Sequence, residues 1–237
     1  MTVDVSIERL RPDQRALRDQ VAALHVHAVP YGDLAKLGQE VVRDFYHGIL
    51  LDDPDFVDVV YLVDGVLAGF GSFSRDIAAV RRRALRRAWP RIVLLLLKAC
   101  LRDPRRIRAL YELSRTVASD GSAEPVEEQP APQALSLAVE ERFRTVEFYR
   151  RSGLRIGREL YLHGGRELYL QGARHCGGQT RVDNPLAHAT LRSLGWRRTG
   201  TAHGGRDYLW VWDLEAAARR FGFGGGDHGV VADRSSS

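Results

Sequence analysis

Two histidines, His25 and His27, stand two residues apart in "RALRDQVAALHVHAV". Helical geometry turns such a pair to different faces, so they do not form a metal pair. Either one alone can exchange a proton near neutral pH. Tyr31 follows close behind in the turn-like "PYGD". Glu140 and Glu141 come just after the apolar run "ALSLAV", and carboxylates placed there can serve as general bases. His175 adjoins Cys176, but no third residue is spaced to complete a nucleophilic triad. The sequence holds no Walker loop, paired CxxC, HExxH helix or GxSxG elbow, and no metal site is expected.

These residues need elements to position them. "VSIERL" reads as a strand, and the spacing of Leu17, Val21, Leu24 and Ala28 predicts a helix. "LAKLGQEVVRDFYHGILL" reads as a second helix. "FVDVVYLVDGVLAGFGSFS" reads as a hairpin turning at Asp64-Gly65. Residues 77–117 read as two or three helices broken at Pro90 and Pro104, the first basic and the second leucine-rich. "SDGSAEPVEEQPAPQ" is polar and proline-rich, the composition of a mobile loop. "ALSLAV" and "QTRV" read as strands. Asn184, Pro185 and Gly195 supply the cap, first turn and stop of a helix over "DNPLAHATLRSLGW". "WRRTGTAHGGRDYLWVWDL" reads as a closing hairpin.

This order of elements resembles the GNAT superfamily of acyl-coenzyme A-dependent N-acyltransferases, over most of residues 5–215. "LHVHAVPYGDLAKLGQEVVRDFYHGIL" followed by "VYLVDGVLAGFGSFSRD" is similar to the front half of these enzymes. "RVDNPLAHATLRSLGW" resembles their back-half motif, an Asn before a helix that ends in Gly-aromatic. A subgroup also carries basic helices between the third and fourth strands. The resemblance implies an α/β fold with a mixed, mostly antiparallel central sheet flanked by helices and interrupted by an inserted basic helical segment. It implies one domain over 1–223, with inserted helices at 76–117, a mobile loop at 118–133 and a disordered tail at 224–237. It also implies an acyl-coenzyme A, such as acetyl-coenzyme A, as co-substrate, and an amine of a small metabolite or peptide as acceptor.

Members of the family cradle the coenzyme's pyrophosphate after the fourth strand. The motif is Gln or Arg, two residues, Gly, one residue, then Gly or Ala, at a helix N-terminus. The matching strand ends at Val139 in "LSLAVEERFRTVEFYRRSGLRIGREL". Read without gaps, Arg144 takes the basic position, and Glu147 and Tyr149 take the small ones, adding like charge and bulk. Read with a gap, "SGLRIG" around Gly153 supplies the loop. Gly157 then takes the second small position, Arg155 the first and Ser152 the basic one. From Val139 to Asn184 is 45 residues, eight more than is usual in the family. Eight is also the length of the near-repeat in "GRELYLHGGRELYLQG". A duplication within that stretch and an insertion before Gly153 each account for the excess, and the repeat favours duplication. As one helix the repeat carries Gly164 and Gly165 mid-span, each costing roughly 1 kcal/mol relative to alanine; as a hairpin it turns at them.

The resemblance further places a general base and a proton donor to the departing thiolate. The usual donor position falls on Leu191, which has no proton to give. Tyr149 is the alternative donor, Glu140 and His27 are candidate bases, and His25 and Tyr31 border the acceptor site. Asn184 matches a residue that contacts the pantetheine arm, although helix capping also explains it.

The net charge is +5, with eleven arginines crowded between Arg81 and Arg115. A segment so basic can meet an anionic surface. The leucines beside it in 81–108 favour a membrane surface, and nucleic acid is disfavoured. The two cysteines define no disulfide framework, and "MTVDVSIERL" lacks the pattern of a signal peptide, which points to a cytoplasmic location. A second class of function keeps the fold but not the coenzyme, using the cleft for a ligand, a partner or coenzyme-independent chemistry.

Overall fold

In a computed structural model the chain is described over residues 3–111 and 132–223. Seven strands form one sheet in the order β1-β2-β3-β4-β5-β7-β6. They are β1 (Val5–Arg9), β2 (Phe56–Val63), β3 (Val66–Ser74), β4 (Gln133–Val139), β5 (His175–Arg181), β6 (Arg197–Ala202) and β7 (Asp207–Asp213). Every neighbouring pair is antiparallel except β4 and β5. The mixed, mostly antiparallel sheet is the one expected. The expected tail, and the part of the expected loop and inserted helices that falls within 112–131, lie outside the described residues.

The Asp64-Gly65 hairpin forms as read: Asp64 has φ 50° and Gly65 φ 72°, the pair of positive values that a two-residue turn between twisted strands needs. β2 is buried almost throughout, which fits its near-continuous apolar run. One face of the sheet is covered by α1 (Arg15–Ala28), a π-helix (Val42–Ile49) and α2 (Ile77–Arg102). The "LAKLGQEVVRDFYHGILL" stretch is thus not one helix. Gly38 at φ 100° divides it, and short turns at Asp33–Lys36 and Gln39–Val41 lead into the π-helix. The interruption expected at Pro90 is present as a kink: Ala88, two residues before the proline, has φ −126° and ψ 18°, which divides α2 into two helical segments.

The other face is covered by α4 (Ile156–Leu170) and α6 (Leu214–Phe221), over a core that includes Phe73, Trp196, Trp210 and Trp212. α3 (Val146–Ser152) lies between β4 and α4, and α5 (Pro185–Leu194) follows β5. The repeat "GRELYLHGGRELYL" is therefore a helix, not a hairpin. The reason is packing. A Cβ on Gly164 would stand 2.0 Å from the Phe73 ring, and one on Gly165 2.3 Å from the Trp212 ring. The two glycines let fully buried aromatic rings meet the helix backbone, and that contact outweighs their poor helix propensity.

Gly164→Ala and Gly165→Ala should each destabilise the protein by about 2 kcal/mol or more in urea unfolding. The ~1 kcal/mol gained in helix propensity is smaller than the cost of overpacking rings that have nowhere to move. Gly157→Ala, whose Cβ would meet its nearest neighbour at 3.7 Å, should leave the midpoint unchanged or raise it.

Candidate active-site cleft

β4 and β5 run in parallel but pair only at Gln133 with Gly177 and Ala134 with Gly178. Beyond those two pairs the strands part, and their C-terminal ends open a V-shaped cleft of about 770 Å³. Leu135 to Val139 form one wall and Gln179 to Arg181 the other, and the first turn of α4 closes the mouth. A cleft of this size suits a small ligand or cofactor.

The mouth brings a helix N-terminus and two arginines together. α4 begins at Ile156, so "SGLRIG" is the loop that leads into the helix crossing the sheet. The first amides of a helix have no partner within it, and here these are the amides of Ile156, Gly157 and Arg158. Gly157 faces the β4 wall, where a Cβ would lie 3.7 Å from Val139 and 3.9 Å from Leu137. Arg155 precedes the helix and lines the cleft with Arg144. Its guanidinium donates to the Tyr149 hydroxyl at 2.8 Å and lies 5.3 Å from that ring. First-turn amides, two arginines and a glycine at close approach together fit a pyrophosphate.

Of the ungapped reading's residues, Arg144 and Tyr149 line the cleft and Glu147 does not; Glu147 sits exposed in the first turn of the seven-residue α3. Between β4 and Gly153 the chain forms the 3-10 turn Glu141–Phe143 and then α3. Gly153 is not part of the cradle: at φ 73° it is the left-handed cap of α3, with open space where its Cβ would be.

The other expected residues divide. Val139, Tyr149, Arg144, Arg155, Gly157, Asn184 and Tyr31 all line the cleft. Asn184 also caps α5, its Oδ1 accepting from the Ala187 amide at 3.1 Å. Leu191 is buried in the core and faces no ligand. His27 is on the exposed face of α1, and Glu140 accepts from Arg142 Nε at 2.7 Å; neither lines the cleft. His25 turns inward instead. Its Nδ1 is 2.9 Å from His47 Nε2, and His47 Nδ1 is 2.6 Å from Asp58 Oδ2, all three residues being buried. A single N···N bond holds one proton, so the two imidazoles carry at most one charge. Burial, and then the neighbouring His47, pull the His25 pKa down to about 3. This array ties α1 and the π-helix to β2.

The fold also gathers a group that the linear order conceals. His203 and Asp207 stand at the two ends of the β6–β7 turn and both line the cleft, with His203 Nδ1 2.9 Å from Asp207 Oδ2. Asp207 lies opposite Arg181 in the sheet register, and the Arg181 guanidinium is 5.2 Å from the Tyr31 ring. Burial raises the Tyr31 pKa, followed by an opposing effect of Arg181 and supporting ones of Asp183 and Asp207, so its hydroxyl stays protonated. The spacing of "HGGRD" in an expected hairpin was the available signal for the His–Asp pair.

No family model matches the chain, and no curated protein matches it in sequence. Solved structures do. An uncharacterized protein from Bacillus halodurans superposes with a TM-score of 0.53 at 8% identity, covering 91% of this chain and 87% of that one. SsHAT superposes at 0.51 with 16% identity, covering 89% and 98%. The chain shares the fold of these two structures, an α/β arrangement around a mixed, mostly antiparallel sheet. An acetyltransferase of the GNAT family from Streptococcus pneumoniae superposes at 0.48 with 12% identity, covering 89% and 99%. At such identities the likeness is one of fold alone. Among the described residues, no helix is long and apolar enough to cross a membrane, and no cluster of three His, Cys, Asp or Glu could hold a metal.

The buried histidines give a test by pH. His25 binds a proton with pKa about 3 when folded against 6.5 as its ordinary value, so the unfolded chain binds more protons between those limits. Stability should therefore be complete above about pH 6.5 and fall as the pH drops toward 3. In the His25→Phe variant the melting temperature should depend less steeply on pH across that window.

Proposed function

We propose that the protein transfers an acyl group from an acyl-coenzyme A to an amine of a small metabolite or peptide. The observation that carries this reading is the parted β4–β5 cleft with the N-terminus of α4 at its mouth. Ile156, Gly157 and Arg158 would hold the pyrophosphate through their amides, with Arg144 and Arg155 supplying charge. Val139 and the β4 edge would bind the pantetheine arm, and Asn184 stands on the opposite wall. The bound thioester supplies an activated acyl carbon.

The His203–Asp207 pair and Tyr31 give the cleft its proton chemistry. Asp207 accepts the His203 Nδ1 proton's hydrogen bond, which leaves Nε2 bare to take a proton from the acceptor amine. As the amine nitrogen bonds to the acyl carbon, the carbon–sulfur bond breaks. The thiolate then takes the Tyr31 hydroxyl proton, and solvent restores both groups. This assignment moves the acid and base from Tyr149, Glu140 and His27 to residues on the α1 and β6–β7 loops. Tyr149, bonded to Arg155 at the mouth, serves the phosphates instead, while His25 supports α1 from beneath.

Calorimetry with acetyl-coenzyme A should show micromolar binding to the wild type, weakened about tenfold or more in Arg155→Ala and abolished in Gly157→Phe, whose ring fills the mouth. Absence of binding to the folded wild type would overturn the reading and turn attention to coenzyme-independent uses of the cleft. With a responsive amine, His203→Asn should lower kcat by about a hundredfold without changing coenzyme affinity. Tyr31→Phe should likewise lower kcat and leave that affinity unchanged.

A further inference from the structure

The cleft leaves α2 without a role, and α2 has an unusual surface. It buries only a narrow stripe, Val80, Ala84, Ala88, Ile92 and Ala99. Away from that stripe, Leu85, Trp89, Val93, Leu97 and Leu101 follow one another at intervals of four, the last four forming an apolar ridge about 18 Å long beyond the kink at Ala88. They are 50%, 60%, 53%, 53% and 77% exposed, and Leu94 beside them is 65% exposed. A helix that is apolar on its outer face as well as its inner one requires cover.

The charge around the ridge says what kind of cover. Between Ile77 and Arg102 there are eight basic residues and no carboxylate. Arg83 is tied to Asp53 and Asp55, Arg87 to Asp52 and Arg102 to Glu40, which fastens the helix to the body. Arg82, Arg86, Arg91 and Lys98 make no ion pair among the described residues and remain free on the exposed surface. A second copy of the chain is a poor occupant, because a two-fold contact would oppose these basic groups with no acid on the helix to neutralise them. An anionic lipid surface satisfies both features at once. Headgroup phosphates meet the arginines, and the ridge with its tryptophan enters the interface.

We propose that α2 docks the protein on an anionic lipid bilayer, lying in the interface without crossing it. This does not depend on the acyl-transfer reading.

The protein carries its own reporter. Trp89 is 60% exposed, whereas Trp196, Trp210 and Trp212 are 3%, 1% and 1% exposed, so a blue shift of emission on binding reports Trp89. The full chain should be titrated with phosphatidylcholine vesicles with and without phosphatidylglycerol. The expected result is a blue shift and co-sedimentation with the anionic vesicles only, weakened by salt. Partitioning should fall about tenfold or more in Val93→Ser/Leu97→Ser and again in Arg82→Glu/Arg86→Glu. Both pairs are exposed, and an unchanged melting temperature confirms that each variant folds. The proposal is overturned if the wild type ignores anionic vesicles. It is equally overturned if Val93→Ser/Leu97→Ser binds them as well as the wild type does. Self-association abolished by that variant, with no vesicle binding, would assign the ridge to a second copy instead.

Discussion

The architecture depends on one broken ladder. β4 and β5 share only two register pairs, and past Ala134 and Gly178 their backbone groups no longer bond each other. Backbone polar groups freed in this way must find other partners, whether water or a ligand. A thioester with an amide-bearing arm is suited to fill such a gap, because it can present donors and acceptors to a strand edge. The cleft is thus a designed interruption of the sheet, and the remaining elements hold it open from both sides. α1, the π-helix and α2 clamp the β1–β4 part, while α4 and α6 clamp the other face around the tryptophans of β7.

The position of α4 follows from its glycines. Because Gly164 and Gly165 carry no Cβ, the helix lies against the Phe73 and Trp212 rings, close to the sheet. That depth brings its first turn level with the ends of β4, so that its first amides face the mouth. The same stretch that weakens the helix locally is what seats its functional end. Meanwhile the Trp212 indole donates to the Leu194 carbonyl at 3.0 Å, tying α5 to the same core and setting the opposite wall.

The chemical groups come from places that neighbour one another only when folded. Tyr31 arrives from the loop after α1, Arg181 from the end of β5, and His203 with Asp207 from the β6–β7 turn. The more conspicuous histidine pair at 25 and 27 is divided by helical geometry, one ring buried against His47 and the other exposed. The inserted α2 adds a surface whose chemistry differs from that of the cleft, and nothing in the cleft requires it.

Much of this was legible in the chain itself. The Asp64-Gly65 turn, the Asn184 cap, the Gly195 stop and the closing hairpin are each written in a few adjacent residues. Their signals are local, since a positive φ or an unpaired amide is satisfied within a turn. The order of those elements was enough to indicate a mixed sheet of the GNAT kind. What stayed open was whether the repeat at 157–172 forms a helix or a hairpin. Its two glycines favour a turn by local propensity, and only two aromatic rings from β3 and β7 make them helical. The pairing of His203 with Asp207 and the inward turn of His25 were undecided for the same reason. Sequence by itself determined which elements exist and in what order, through contacts made within a few residues. Tertiary structure alone decided how deep the helices sit and which side chains meet, because those outcomes depend on the shape of partners brought from far along the chain.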